Sequence, residues 1–187
     1  VSETEMQSDF ALHTALQIPD CPAPMIEFLI RLVPSARYLQ DPQTGALPIH
    51  LACKYWHAER TLNNSKVSVE MVLNQLLAGD FSLVHRRYEK QLPLHHAICA
   101  GKPWQNFVQP LSALDPKTTT LRDPQTKLYP FQLAALPQTT SGNHVQCKET
   151  EQLDCIFELL RAQPSVIHVD VAVTGDEISP NNLEQVV

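Results

Sequence analysis

Glycine is scarce in this chain, five in 187 residues, against fifteen prolines. Sheets closed by tight hairpins lean on glycine, whereas proline suits the first helical turn, where its missing N–H has no partner in any case. The balance predicts short helices started and stopped by proline. Long apolar runs are also missing. Met25-Ile26-Glu27-Phe28-Leu29-Ile30 is broken by charge, and a membrane span needs about 20 apolar residues. A basic excess is missing as well: the formal charge is −6, which argues against a general nucleic-acid binder, because phosphates must be neutralised.

Cysteine pairing motifs are lacking too. Cys21, Cys53, Cys99, Cys147 and Cys155 form no Cys-x-x-Cys, and an odd, scattered set predicts a reducing, intracellular setting, cytoplasmic or nuclear. The chain opens at Val1 without a basic-then-apolar leader. This reads as an incomplete N-terminus, which leaves an organelle address open. There is no glycine-rich phosphate loop, no Gly-x-Ser-x-Gly and no His-Glu-x-x-His. Neither enzymatic activity nor a cofactor is expected.

What the sequence does contain is repetition. Ala11-Leu12-His13-Thr14-Ala15, Pro48-Ile49-His50-Leu51-Ala52, Pro93-Leu94-His95-His96-Ala97 and Pro130-Phe131-Gln132-Leu133-Ala134 align. Their third residues, His13, His50, His95 and Gln132, are 37, 45 and 37 positions apart. A second landmark keeps the same register: Asp41-Pro42-Gln43-Thr44 recurs as Asp123-Pro124-Gln125-Thr126, nine residues before His50 and Gln132 respectively. Pro34, Gly79 and Pro116 each stand 16 residues before the next aligned position, so the link into each repeat is expected to be of fixed length. The variable part falls at residues 57–66 and 137–148, read as long loops inside repeats two and four.

Each repeat predicts two helices. The first starts at the proline and carries an apolar column at i, i+3, i+4: Leu12-Ala15-Leu16, Ile49-Ala52-Cys53, Leu94-Ala97-Ile98 and Phe131-Ala134-Ala135. The alanine at its centre allows a neighbouring helix close approach. The second helix is amphipathic, as in Val69-Val72-Leu73-Leu76-Leu77 and Trp104-Phe107-Val108-Leu111, and Pro110 should kink or shorten that last one. No pair buries its own apolar stripe, so the pairs must stack into one core.

These features resemble the ankyrin repeat, in which an Asp, a Gly and Thr-Pro-Leu-His-x-Ala precede two antiparallel helices and a finger-like hairpin. The nearest stretch is Asp41-Pro42-Gln43-Thr44-Gly45-Ala46-Leu47-Pro48-Ile49-His50-Leu51-Ala52-Cys53, and Gln91-Leu92-Pro93-Leu94-His95-His96-Ala97 is a second. The period is longer than the family's ~33 residues, and Leu47, Leu92 and Tyr129 replace the family's helix-capping Thr. The resemblance covers roughly residues 9–170. It implies an all-α, ankyrin-like helix-pair solenoid of about four repeats, near 9–40, 41–85, 86–122 and 123–169, in one domain over 1–187 with 170–187 as a tail or partial repeat.

The implied function is a non-enzymatic protein–protein interaction module, monomeric by itself, binding a protein or peptide partner; separately, the basic finger Arg86 to Lys90, beside Tyr88 in a net acidic chain, could meet an acidic peptide. Fingers and first helices are the family's binding surface. The candidate contacts are Gln43, Thr44, Arg86, Arg87, Tyr88, Lys90, Gln125 and Lys127 on the fingers, with Tyr55, Trp56, His57 and Trp104 at or after the first helices; aromatics and arginine concentrate interface energy. Trp56 and Trp104 also continue apolar stripes, which makes them core candidates.

Two rival readings remain. His50, Cys53 and His57 could share one helical face, and His95 with Cys99 is an i, i+4 pair; either could hold a metal or support a thiol enzyme. The resemblance instead makes His50 and His95 backbone-bonding struts. A structural spacer within a longer chain is the other rival. The tail Val166-Ile167-His168-Val169-Asp170-Val171-Ala172-Val173 alternates as a strand would.

Overall fold

A computed structural model describes residues 10–56, 69–77, 79–137 and 149–167. The expected long loops and the strand-like tail beyond Ile167 lie outside the described residues, as does His57.

The described chain is all-α, with no strand. Helix α1 (Ala11–Gln17) pairs with α2 (Ala23–Leu32), and α3 (Pro48–Lys54) with α4 (Val69–Leu77). Helix α5 (Pro93–Cys99) pairs with a π-helical turn, Trp104–Val108, that runs into α6 (Gln109–Leu114). Helix α7 (Pro130–Ala134) pairs with α8 (Glu149–Ala162). The first helices pack in file, α1 on α3 on α5 on α7, and the second helices form a parallel row, α2 on α4 on the π turn on α8. The core is the seam between the rows.

Burial follows the first-helix columns in the first three repeats, while in the fourth Leu133 and Ala134 are buried, Phe131 is half-buried and Ala135 is exposed, because the short α7 ends at Ala134. The central alanines Ala15, Ala52, Ala97 and Ala134 are all buried, with Ala52 and Ala97 at 0% exposure. From the second helices, Ile26, Ile30, Val72, Leu73, Leu76, Phe107, Val108, Leu111, Cys155 and Leu159 close the seam. Prolines 48, 93 and 130 stand in the first turns of α3, α5 and α7, as the composition predicted.

Pro110 shortens the regular α-helix, as expected, to Gln109–Leu114. The preceding turn widens: Val108 N–H reaches the Pro103 carbonyl and Gln109 N–H the Trp104 carbonyl, each five residues back. A π turn just before a proline absorbs the missing N–H and makes room for the ring.

The links are 3₁₀ turns: Pro34–Tyr38, Phe81–His85, Pro116–Thr120 and Pro164–Ile167. Asp80 and Asp115 cap two of them by accepting from the Ser82 and Lys117 amides. The three turns between repeats are each five residues long, but they do not all start at the same distance from the next helix. Pro34 and Pro116 open their turns, but the corresponding turn in the third repeat opens at Phe81, not Gly79. Its finger is two residues shorter.

Candidate interaction surface

Two of the three described fingers begin with an aspartate. Asp41 accepts from the Gln43 amide and the Thr44 hydroxyl, at 2.9 and 2.8 Å, and Thr44 Oγ1 accepts in turn from the Ala46 amide. Asp123 repeats this with Gln125, Thr126 and Leu128. The Gln43 amide and Thr44 hydroxyl hold the Asp41 carboxyl below its usual range. Burial opposes the same shift at Asp123, but its bonds from Thr126 and Gln91 prevail. Each such turn ends in a left-handed residue, Gly45 at φ 75° and Lys127 at φ 64°. The middle finger is a two-residue turn, with Tyr88 and Gln91 exchanging backbone bonds around Glu89 and Lys90, both at positive φ.

Histidines tie the fingers to the helices. Nδ1 of His50 and of His95 accepts from the amide of Leu47 and of Leu92 respectively, the residue preceding the helix proline. Leucine has no acceptor to return the bond, so only half of a capping box exists. Nε2 then donates to a carbonyl in the next repeat: His50 to Arg86 at 2.8 Å and His95 to Leu121 at 3.0 Å. His13 reaches Leu39 in the same way at 2.9 Å, with its Nδ1 unbonded. Gln132 accepts from the Tyr129 amide at 2.9 Å, as the imidazoles do. Burial pushes the His50 pKa down to about 4 and lowers those of His13, His95 and His96. Both nitrogens of His50 are therefore committed to backbone. Cys53 beside it is fully buried, with its thiol pushed up to about 12 by burial.

Two predicted contact residues are core instead. Trp56 is at 0% exposure, its indole donating to the Cys21 carbonyl at 2.8 Å and its ring lying edge-on to Phe107. Tyr88 is not a fingertip: its ring lies among His50, His96 and the Lys54 ammonium, and it is buried. The short finger turns its aromatic back onto α3 and α5, where apolar area leaves water. Trp104 is half-buried against the core. Thr44 is exposed, but its hydroxyl is occupied within its own turn.

The remaining predicted residues, Gln43, Tyr55, Arg86, Arg87, Lys90, Gln125 and Lys127, are exposed. Several join into one strip. Lys54 lies over the Tyr55 ring and bonds Glu89 at 2.8 Å, and Gln125 Nε2 donates to the Glu89 carbonyl at 2.7 Å. Arg87 folds onto the Lys90 carbonyl and Arg122 onto that of Lys127. The Lys54 ammonium holds the Glu89 carboxyl below its usual range. Exposed cations thus outnumber Glu89, the exposed carboxylate among them, along the strip, Asp123 being buried, although the whole chain is acidic. No family model, curated protein or solved structure matches this chain.

Sequence reasoning missed Lys102. Its side chain is 3% exposed, with Nζ donating to the Trp56 carbonyl at 2.6 Å and lying 5.3 Å from the centre of the Phe107 ring. Burial pushes its pKa down to about 7. Lysine is seldom buried, and no pattern around Gly101-Lys102-Pro103 marks it. On the opposite row, an open cleft of about 640 Å³ runs between α2 and α4, lined by Ile30, Arg31, Pro34, Arg37, Glu70 and Gln75 among others. Arg31 is paired there with Glu27 at 2.6 Å, and Glu70 offsets Arg37, so the cleft has little net charge to select a ligand. Among the described residues, no helix is long and apolar enough to cross a membrane.

Proposed function

We propose that this chain is an ankyrin-like repeat solenoid acting as a non-enzymatic protein-interaction module, and that its finger strip receives an acidic peptide segment of a partner protein. The observation that carries this is the strip itself. Arg87, Lys90, Arg122 and Lys127, with Lys54 from the end of α3, gather along turns whose backbones are already fixed by Asp123, Gln91 and the histidine ties. A surface that is ordered beforehand loses less entropy on binding, and a cationic strip on an acidic protein discriminates by charge. Tyr55, 38% exposed beside Lys54, supplies an amphipathic contact of the kind found at interface centres. The ankyrin-like reading is supported by the file of first helices, the parallel row of second helices and the finger before each proline.

The test is affinity capture from source lysate with wild type and with an Arg87→Glu/Lys90→Glu/Lys127→Glu variant. The captured partners' acidic segments are then titrated as synthetic peptides at two salt concentrations. Loss of binding in the variant, with salt-sensitive peptide affinity in wild type, supports the reading. Equal binding by both proteins would move the surface away from the fingers, and the absence of any partner would favour a spacer.

A further inference from the structure

The three described fingers share one register but not one charge. Each leaves the carbonyl that takes a histidine tie, on Leu39, Arg86 or Leu121. The next residue, at the base of the finger, is Gln40, Arg87 or Arg122. On the returning side, three positions before the helix proline, stands a left-handed residue: Gly45, Lys90 or Lys127. The first finger therefore has a cation at neither place, and the other two have one at both.

Within each of those two fingers the cations are joined. Nη1 of Arg87 donates to the Lys90 carbonyl at 3.0 Å, and Nη1 of Arg122 to the Lys127 carbonyl at 3.3 Å. The Arg122 guanidinium also lies 4.2 Å from the centre of the Tyr129 ring. Each arginine is thus drawn across its finger to the lysine, and all four side chains are exposed. The lysines hold a conformation that a Cβ disfavours. Among the described residues, the non-glycine residues at positive φ are Glu89, Lys90 and Lys127, and all three lie on the strip. Glycine fills the same place in the first finger without strain. Strain kept at two equivalent positions marks side chains retained for what they contact. Glu89 bonds Lys54 at 2.8 Å, so its charge is offset from α3.

The stack sets the distance between the two pairs. Helix α5 packs directly on α7, and packed helices lie roughly 8–10 Å apart. Gln91 Nε2 donates to Asp123 Oδ1 at 3.1 Å and Gln125 Nε2 to the Glu89 carbonyl at 2.7 Å, which fixes one finger against the other. A polyproline-II peptide has three residues per turn, so its side chains at i and i+3 project to one side about 9 Å apart. In a β-strand the same-side residues i and i+2 are only about 7 Å apart.

Resting on the acidic-peptide reading above, we infer that Arg87 with Lys90 and Arg122 with Lys127 form two carboxylate subsites one repeat apart, which together select a proline-rich segment with acidic side chains at i and i+3. In each subsite the guanidinium supplies planar donors and the lysine a point charge.

Proline-rich synthetic peptides that differ only in carrying one glutamate, or two at i+2, i+3 or i+4 spacing, are titrated into the full chain at low salt by fluorescence anisotropy. The i, i+3 peptide should bind about tenfold more tightly than the others, since its second contact is made within the complex. In Arg87→Gln/Lys90→Gly and in Arg122→Gln/Lys127→Gly that advantage should vanish, while the one-glutamate peptide still binds the subsite that remains. Glycine suits the left-handed backbone at both lysines; Arg87→Gln and Arg122→Gln alone give the same contrast should a double variant lose its helical circular dichroism. An affinity indifferent to glutamate spacing would overturn the two subsites and leave the acidic-peptide reading intact, as would a subsite variant that keeps the i, i+3 preference. Failure of every peptide to bind would overturn that reading as well.

Discussion

His50 and Arg86, thirty-six residues apart, are joined by a 2.8 Å bond between the imidazole Nε2 and the Arg86 carbonyl. The other ring nitrogen accepts from the Leu47 amide at 3.2 Å. One buried side chain therefore closes a helix N-terminus and fastens the following finger, and His95 does the same one repeat later. Because Nδ1 accepts only in the neutral ring and burial disfavours the charged one, this joint is sensitive to acid.

His50→Ala is expected to cost about 2–4 kcal/mol, leaving two backbone groups without partners and a cavity behind. His50→Gln should cost less than about 1.5 kcal/mol, since an amide offers an acceptor and a donor, and Gln132 already fills the acceptor role in the fourth repeat. Urea titrations of the two variants at pH 7 measure the difference. An equal loss in both would show that packing, not the paired bonds, matters there.

Acid should destabilise the fold well before its carboxylates titrate. The folded pKa of His50 is about 4, below the ordinary 6.5, and those of His13, His95 and His96 are lowered as well. A depressed pKa means the unfolded chain binds more protons than the folded one, so this stability is fully present above pH 6.5 and is lost as pH falls toward 4. The urea midpoint followed between pH 7 and 4 should fall steadily, and less steeply in His50→Gln.

Lys102 works on the other side of neutrality. Its folded pKa of about 7 lies below the ordinary 10.5, so stability should rise from pH 7 to 8.5 as the folded amine gives up its proton while the unfolded one keeps it. In Lys102→Met that rise should vanish. A wild-type stability that is flat across this window would mean the amine stays charged in place.

Gly45 and Lys127 occupy the same position in two Asp-led turns, both left-handed. Space does not limit Gly45, since a Cβ there meets nothing within 4 Å, but the conformation does. Gly45→Ala should cost about 1 kcal/mol, and Lys127→Gly should stabilise by roughly 0.5–1 kcal/mol while removing one cation of the strip. Thermal melts give the stability change, and peptide titration should show weaker binding by the more stable variant.

Tyr88 and Arg87 are sequence neighbours with opposite expectations. Tyr88→Ala should lose about 2–4 kcal/mol as a buried aromatic, whereas Arg87→Ala should stay within about 0.5 kcal/mol and affect only binding. Chemical unfolding of the two single variants separates fold from surface.

The sequence by itself was enough for the framework, because those features are local. Proline in the first helical turn, an apolar column with alanine at its centre, and Asp-x-x-Thr before a left-handed residue each act within about five residues, so their spacing carries their meaning. The exposed part of the strip was legible for the same reason: Gln43, Arg87, Lys90, Gln125 and Lys127 sit at or beside turn tips. Tertiary structure alone decided which aromatics and cations leave water. Tyr88 is buried because a finger two residues shorter turns its ring onto α3 and α5. Trp56 is buried because the Cys21 carbonyl and Phe107 come to it from other repeats, and Lys102 because the end of α3 offers it a carbonyl. Burial is a property of what lies opposite a side chain, and in a stack what lies opposite is another repeat, 35 residues or more away in the chain for Trp56 and Lys102.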